Sequence, residues 1–233
     1  MPTDADLDSL LDEAFAALEE GDAEAALVLA ERVLKHAEDV DAFVIVGAAH
    51  FERNRLAAAK QNLKIALDLD PKHPDAHGWM GLVIERQGNS DRAAKYFREA
   101  ARLDGKAWPP AFGVREKEFR ALVEKAIADL PADFRAQLEN LAIVVEPLPE
   151  DALLEGDPPF PPTILGLHVG TPRPERSAAL PSGPNTIFLF QKNIERAAAT
   201  RDELVEQIEV TLLHEIGHYL GLDEDDVADR GLN

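Results

Sequence analysis

Cysteine is absent from this 233-residue chain, which excludes disulfides, thiolate nucleophiles and thiolate metal sites. Basic residues are scarce: 24 Lys and Arg stand against 44 Asp and Glu, a formal net charge of −20. The shortage runs the whole length, with 21 acids to 13 bases in residues 1–107 and 23 to 11 in 108–233. Neither half offers a basic stripe to neutralise phosphates, so nucleic acid and anionic membrane surfaces are poor partners. Long apolar runs are missing too: none reaches the roughly 20 residues that span a bilayer. The opening Met1-Pro2-Thr3-Asp4-Ala5-Asp6 lacks the basic and apolar regions of a signal peptide. These absences together lead us to expect a cytoplasmic protein. What is abundant is apolar content, at 45%, enough to build a core.

The first hundred residues repeat. Ala14, Gly47 and Gly81 stand 33 and 34 apart, Ala26, Ala59 and Ala93 likewise, and Ala66 and Ala100 again 34 apart. Small residues at these points let paired helices approach closely, while Leu63 and Phe97 match each other as fillers. Pro71 and Gly105 end their units, and Gly21-Asp22, Arg53-Asn54-Arg55 and Gly88-Asn89-Ser90-Asp91 turn each first helix into its second. A 34-residue period of two helices resembles the tetratricopeptide repeat. Three units are expected, at about 7–39, 40–73 and 74–106, giving an all-α repeat domain over 1–107. Stacked hairpins of this kind expose a concave face suited to a protein partner or to docking within the chain.

Trp108-Pro109-Pro110 cannot continue a helix and marks the boundary. Beyond it, 116–130 has helical periodicity and stops at Pro131, and Leu141–Val145 reads as a buried strand. Ten of the sixteen prolines then fall between 147 and 184, the mark of loops. Within that stretch Ile164–Val169 predicts one short strand, and after it Thr186–Phe190 predicts another. The last long helix begins at Thr200, whose spacing to Glu203 makes a capping box, and carries Leu204, Ile208, Leu212 and Ile216 to about Leu220. Residues 114–233 are thus a small α+β domain, and the chain as a whole is α+β.

The chemistry is concentrated in His214-Glu215-Ile216-Gly217-His218. Residues four apart on a helix differ by about 40° of rotation and about 6 Å of rise. His214 and His218 therefore project from one face and can place two imidazole nitrogens on one metal. Glu215, one position on, stands beside them, placed to take a proton from water rather than to act as a ligand. This is the H-E-x-x-H arrangement, in which zinc lowers the pKa of a water and the glutamate is the general base. Zinc needs a third protein ligand. Gly221 can end the helix in the left-handed conformation and turn the chain back, so Glu224 is the first choice and Asp223 the second. With fifteen residues after His218, a glutamate from a distant downstream helix is not expected. Two imidazoles and a carboxylate would also suit iron or manganese.

These residues resemble the metzincin motif H-E-x-x-H-x-x-G-x-x-H/D, with His214, Glu215, His218, Gly221 and Glu224 in its places. They are more similar to the small zincin-like metallopeptidases of bacteria, compact domains whose third ligand is aspartate. Leu130-Pro131-Ala132-Asp133-Phe134, Ile143–Glu146, Leu165-Gly166-Leu167 and the final helix share that likeness, over about 110 residues. Glutamate stands here where that family has aspartate, and no methionine follows Met80, so the methionine turn of true metzincins is absent. The resemblance implies a zinc site and a peptide or protein substrate, whose extended strand would pair with the edge of a sheet containing 164–169 or 186–190.

Other residues have plainer readings. His36, His50, His73 and His77 lie in the repeats without metal-ligand spacing. His168, on a predicted strand of the second domain, is a candidate to polarise a substrate carbonyl, though a structural role weighs more. Tyr219 points about 100° away from His218 and suits packing. Asp225 and Asp226 read as a solvated tail. The expected function is zinc-dependent peptide hydrolysis beside a protein-binding repeat domain. The alternative is an interaction scaffold in which zinc only staples the second domain.

Overall fold

The computed structural model describes residues 3–130, 135, 138, 141–156, 158–171 and 185–222. The chain divides into two compact units, one of Met1–Pro110 with Glu150–Pro162 and one of Ala111–Pro149 with Thr163–Asn233.

The first unit contains three helical hairpins: α1 (Asp4–Glu19) with α2 (Ala23–Leu34), α3 (Val40–Glu52) with α4 (Leu56–Leu69), and α5 (Pro74–Arg86) with α6 (Ser90–Leu103). Five of the six starts have a side-chain cap. The Thr3 hydroxyl accepts from the Asp6 amide, and the Asp6 carboxylate accepts from the Thr3 amide. Asp22, Asp39 and Asn89 cap α2, α3 and α6 through side-chain oxygens. α5 is capped by His73, whose Nδ1 accepts from the Ala76 amide at 3.3 Å, with Pro74 at the first helical position. Gly21, Asn54 and Gly88 make the turns at positive φ. The repeated small residues do the work the spacing predicted. A Cβ on Gly47 would stand 2.6 Å from Leu63 Cγ, and one on Gly81 would stand 2.6 Å from Phe97 Cε1. Trp108 closes the last hairpin by lying on Gly78, its Nε1–H donating to Asp75 Oδ1 at 2.6 Å.

The second unit is built on a three-stranded sheet in the order β1-β3-β2, from Leu141–Glu146 (β1), Gly166–Val169 (β2) and Asn185–Phe190 (β3). β3 pairs parallel to β1, Leu141 opposite Asn185, and antiparallel to β2, Gly166 opposite Leu189. The predicted strand 186–190 is therefore interior to the sheet, hydrogen-bonded on both sides. It offers no edge of its own to a substrate, so the edges of the sheet that contains it belong to other strands. β2 is an edge strand among the described residues.

Helix α7 (Glu116–Asp129), the short α8 (Gln191–Arg196) and α9 (Arg201–Tyr219) complete this unit. Leu204, Ile208, Leu212 and Ile216, one stripe of α9, meet Ile187 and Leu189 of β3 and Phe119 of α7 in a single core. Buried polar groups fix the loops around it. Gln191 Nε2–H donates to the Val114 carbonyl at 3.1 Å, Glu195 Oε1 accepts from the Val114 amide at 2.9 Å, and Asn193 Nδ2–H donates to the Ile164 carbonyl at 2.7 Å.

Candidate metal centre

Helix α9 begins where Thr200 Oγ1 accepts from the Glu203 amide at 3.2 Å. The Glu203 carboxylate returns a bond to the Ala199 amide at 2.8 Å, so the capping box closes one residue early. With its apolar stripe turned into the core, the helix presents His214 and His218 on an adjoining, half-buried face. Their Nε2 atoms lie 2.9 Å apart. Glu215, between them in sequence, is buried at 6% exposure.

The end of the helix sets the orientation of His218. Gly221, at φ +83°, lets the Leu222 amide donate to the Gly217 carbonyl at 3.0 Å. That turn brings the Leu222 carbonyl to 3.3 Å from His218 Nδ1. A carbonyl only accepts, so Nδ1 carries the proton and Nε2 presents its lone pair toward His214. Two nitrogens each about 2.0–2.1 Å from one zinc stand no more than about 4.2 Å apart, and the observed 2.9 Å satisfies that limit. The donor set therefore fits a zinc ion as far as it is described. Among the described residues no third His, Asp or Glu joins the pair. Asp223 and Glu224, the two candidates for the third ligand, lie outside the described residues.

Strand β2 crosses the helix at Gly166. A Cβ there would fall 2.8 Å from Glu215 Cγ, 2.9 Å from its Oε1 and 2.9 Å from Thr211 Cγ2. Only glycine allows the strand to lie against the Glu215 side chain, and this role was not anticipated. A glycine within a short apolar strand was the available signal. His168 shares the Gly166 face of β2 two residues on, and its ring meets Tyr219 edge-on at 5.7 Å. His168 Nε2 and Asn185 Oδ1 are 2.9 Å apart, and Asn185 is 1% exposed. The structure thus brings His214, Glu215 and His218 together on α9, and places His168 in contact with Asn185 and with the buried Tyr219.

The profile of the zincin-like metallopeptidases matches residues 138–232, and that of the tetratricopeptide repeat matches 47–109. A zincin-like domain follows a tetratricopeptide region. Two curated relatives are called cellulose synthase operon protein C. The one from Komagataeibacter xylinus is 34% identical over 101 residues, covering 41% of this chain and 8% of the relative. The one from Komagataeibacter sucrofermentans is 40% identical over 68 residues, covering 28% of this chain and 5% of the relative. The chain thus spans less than a tenth of the length of these curated relatives. Among solved structures, a mutant O-GlcNAc transferase of Thermobaculum terrenum aligns with a TM-score of 0.43 at 21% identity, over 63% of this chain and 33% of that one. No described helix is long and apolar enough to cross a membrane.

Proposed function

We propose that this chain is a zinc-dependent metallopeptidase of the cytoplasm, acting on a peptide or protein substrate and carrying a repeat domain, 1–107, that binds protein. The observation that carries the reading is the pair of Nε2 atoms 2.9 Å apart on one face of α9 with buried Glu215 beside them. His214 and His218 would hold the metal, with Glu224 as third ligand ahead of Asp223. Zinc bound there supplies Lewis acidity, which polarises a carbonyl and brings the pKa of a water down to about 7.

The rest falls to the chain itself. Glu215 is shielded from bulk water, and its carboxylate takes the proton of the attacking water as oxygen adds to the substrate carbonyl carbon. As the C–N bond breaks, the same carboxyl returns that proton to the leaving nitrogen. The Leu222 carbonyl holds the tautomer of His218, and Gly166 holds the strand beside Glu215. Edge strand β2 is the place for an extended substrate to pair. His168, anchored to Asn185, orients that strand.

Metal content and turnover test the proposal together. Purified protein should contain one equivalent of zinc by mass spectrometry, and His218→Ala and Glu224→Ala should each lose it. Glu215→Gln should keep the zinc while hydrolysis of a peptide library falls by about 10²–10⁴-fold. Protein that binds no zinc even when the metal is added would sink the reading. Zinc bound with no hydrolysis by the unaltered chain would leave a scaffold with a structural site.

A further inference from the structure

Arg86 ends α5, five residues after Gly81. The same offset from Ala14 and Gly47 gives Glu19 and Glu52, so the third hairpin carries an arginine where the other two carry acids. Its side chain is 7% exposed, and a cation so shielded needs an anion beside it. That anion is Asp151, which pairs with the Arg86 guanidinium from 65 positions along the chain. Burial pulls the Arg86 pKa down and the Asp151 charge opposes it.

Asp151 opens a strap, Glu150–Pro162, that belongs to the repeat unit although it is encoded between β1 and β2. A 3-10 turn at Asp151–Leu153 holds the acid and aims the next residue, and Leu154 is 1% exposed. The Phe160 amide donates to the Leu154 carbonyl at 3.1 Å, and Pro149 and Pro162 are buried at the two ends. The strap has four acids (Glu150, Asp151, Glu155 and Asp157), four prolines and no base. Prolines lower the entropy lost when such a segment is ordered. An acidic, proline-stiffened peptide with an aspartate paired to arginine and a leucine buried three residues on has the makings of a ligand seated on the repeats.

We propose that the repeat unit recognises an acidic peptide bearing Asp-x-x-Leu at Arg86, and that the strap occupies this surface in cis. A partner segment of the same chemistry binds by displacing the strap, so the repeats are self-inhibited until a competitor arrives. This stands apart from the metal site and survives its failure.

The test uses the full chain and a fluorescent synthetic peptide of residues 149–163, followed by anisotropy. Asp151→Lys with Leu154→Asp releases the strap while leaving the repeats unaltered, and this variant should bind the peptide at least tenfold more tightly than the unaltered chain. Adding Arg86→Glu to the released variant should reverse that gain. Equal binding by the released and unaltered chains overturns the proposal, and so does binding indifferent to Arg86→Glu. Should the released variant not fold, hydrogen exchange on the unaltered chain decides. Saturating peptide should speed exchange at the Leu154 and Phe160 amides by tenfold or more, and unchanged exchange at millimolar peptide overturns the proposal.

Discussion

In the repeat unit, helices close on small residues: Gly47 lies under Leu63, Gly81 under Phe97, and Ala26, Ala59, Ala93 and Ala100 are fully buried. In the second unit, large side chains of α9 and β3 fill a core drawn from segments far apart in sequence. The units differ as much in their polar interior. The buried polar residues among those described are Asn185, Gln191, Asn193, Thr211 and Glu215, all in the second unit. Three of them, Asn185, Thr211 and Glu215, touch Gly166 or His168 of β2 or would meet a side chain there. Buried polar groups are costly unless they are paired or used. Their gathering at one crossing of strand and helix sets the second unit apart, whereas in the repeat unit the Arg86 guanidinium, its side chain 7% exposed, is shielded beside Asp151.

The comparison breaks if the second unit does not depend on its large side chains. Leu212 is fully buried two residues before His214. Leu212→Ala should cost about 2–5 kcal/mol through lost transfer energy and the cavity left behind. Urea unfolding followed through the second unit measures it, and a loss below about 1 kcal/mol would mean that the core collapses around the gap.

The repeats should be sensitive in the opposite sense, to added bulk. Gly81→Ala gains about 0.8–1 kcal/mol in helix propensity. Its Cβ would lie 2.6, 2.7 and 3.0 Å from three atoms of the Phe97 ring, however. Overpacking of about 1–3 kcal/mol should win, for a net loss near 1 kcal/mol. Phe97→Leu in the same chain should recover part of it. An alanine that stabilises would show that the ring moves aside without cost.

A smaller effect is expected at the start of α9. Thr200→Ala removes the bond to the Glu203 amide and should cost about 1 kcal/mol. If the Glu203–Ala199 bond alone holds the start of the helix, the thermal midpoint will not move.

The repeats were legible because their signal is periodic. Gly47 and Gly81 hold the same place in successive units, so each contact is written twice. The face shared by His214 and His218 was legible for a related reason: both residues sit on one helix, and helix geometry fixes their separation. What escaped depends on partners distant in sequence. The central place of β3 follows from pairings with both β1 and β2, and no local pattern in Asn185–Phe190 distinguishes an interior strand from an edge. Gly166 has its role because Glu215 and Thr211 lie under it, far along the chain. The proline-rich stretch read as loops, yet its Glu150–Pro162 segment is part of the repeat unit, because Arg86 and Asp151 meet across a separation that periodicity cannot see. Short α8, six residues or fewer than two turns, was missed because it is too short to show a helical period.

The finest test lies at one histidine of the repeats. His73 in the repeats has a purely structural environment: Nε2 lies 2.8 Å from Asp41 Oδ1 while Nδ1 caps α5. The bond to Asp41 raises the His73 pKa above its ordinary 6.5 against the opposing effect of burial, and the charges of Asp41, Asp75 and Asp70 help. The same bond lowers Asp41 below its ordinary 3.8. A raised imidazole pKa stabilises the fold below 6.5 and loses that contribution as pH rises through the folded value. A lowered carboxylate pKa stabilises above 3.8 and loses its contribution as pH falls through the folded value. The pair is therefore strongest between 3.8 and 6.5. Protonation also removes the Nδ1 lone pair from the Ala76 amide, which limits the gain. Because the Asp41 side chain is 66% exposed, the net effect should stay below about 1 kcal/mol. His73→Asn keeps a capping oxygen and removes the charge. Its stability deficit against the unaltered chain should be largest near pH 5–6 and shrink above pH 7, as read from urea midpoints across a pH series. A deficit that does not vary with pH would show that His73 serves the repeats as a cap alone, with Asp41 a bystander.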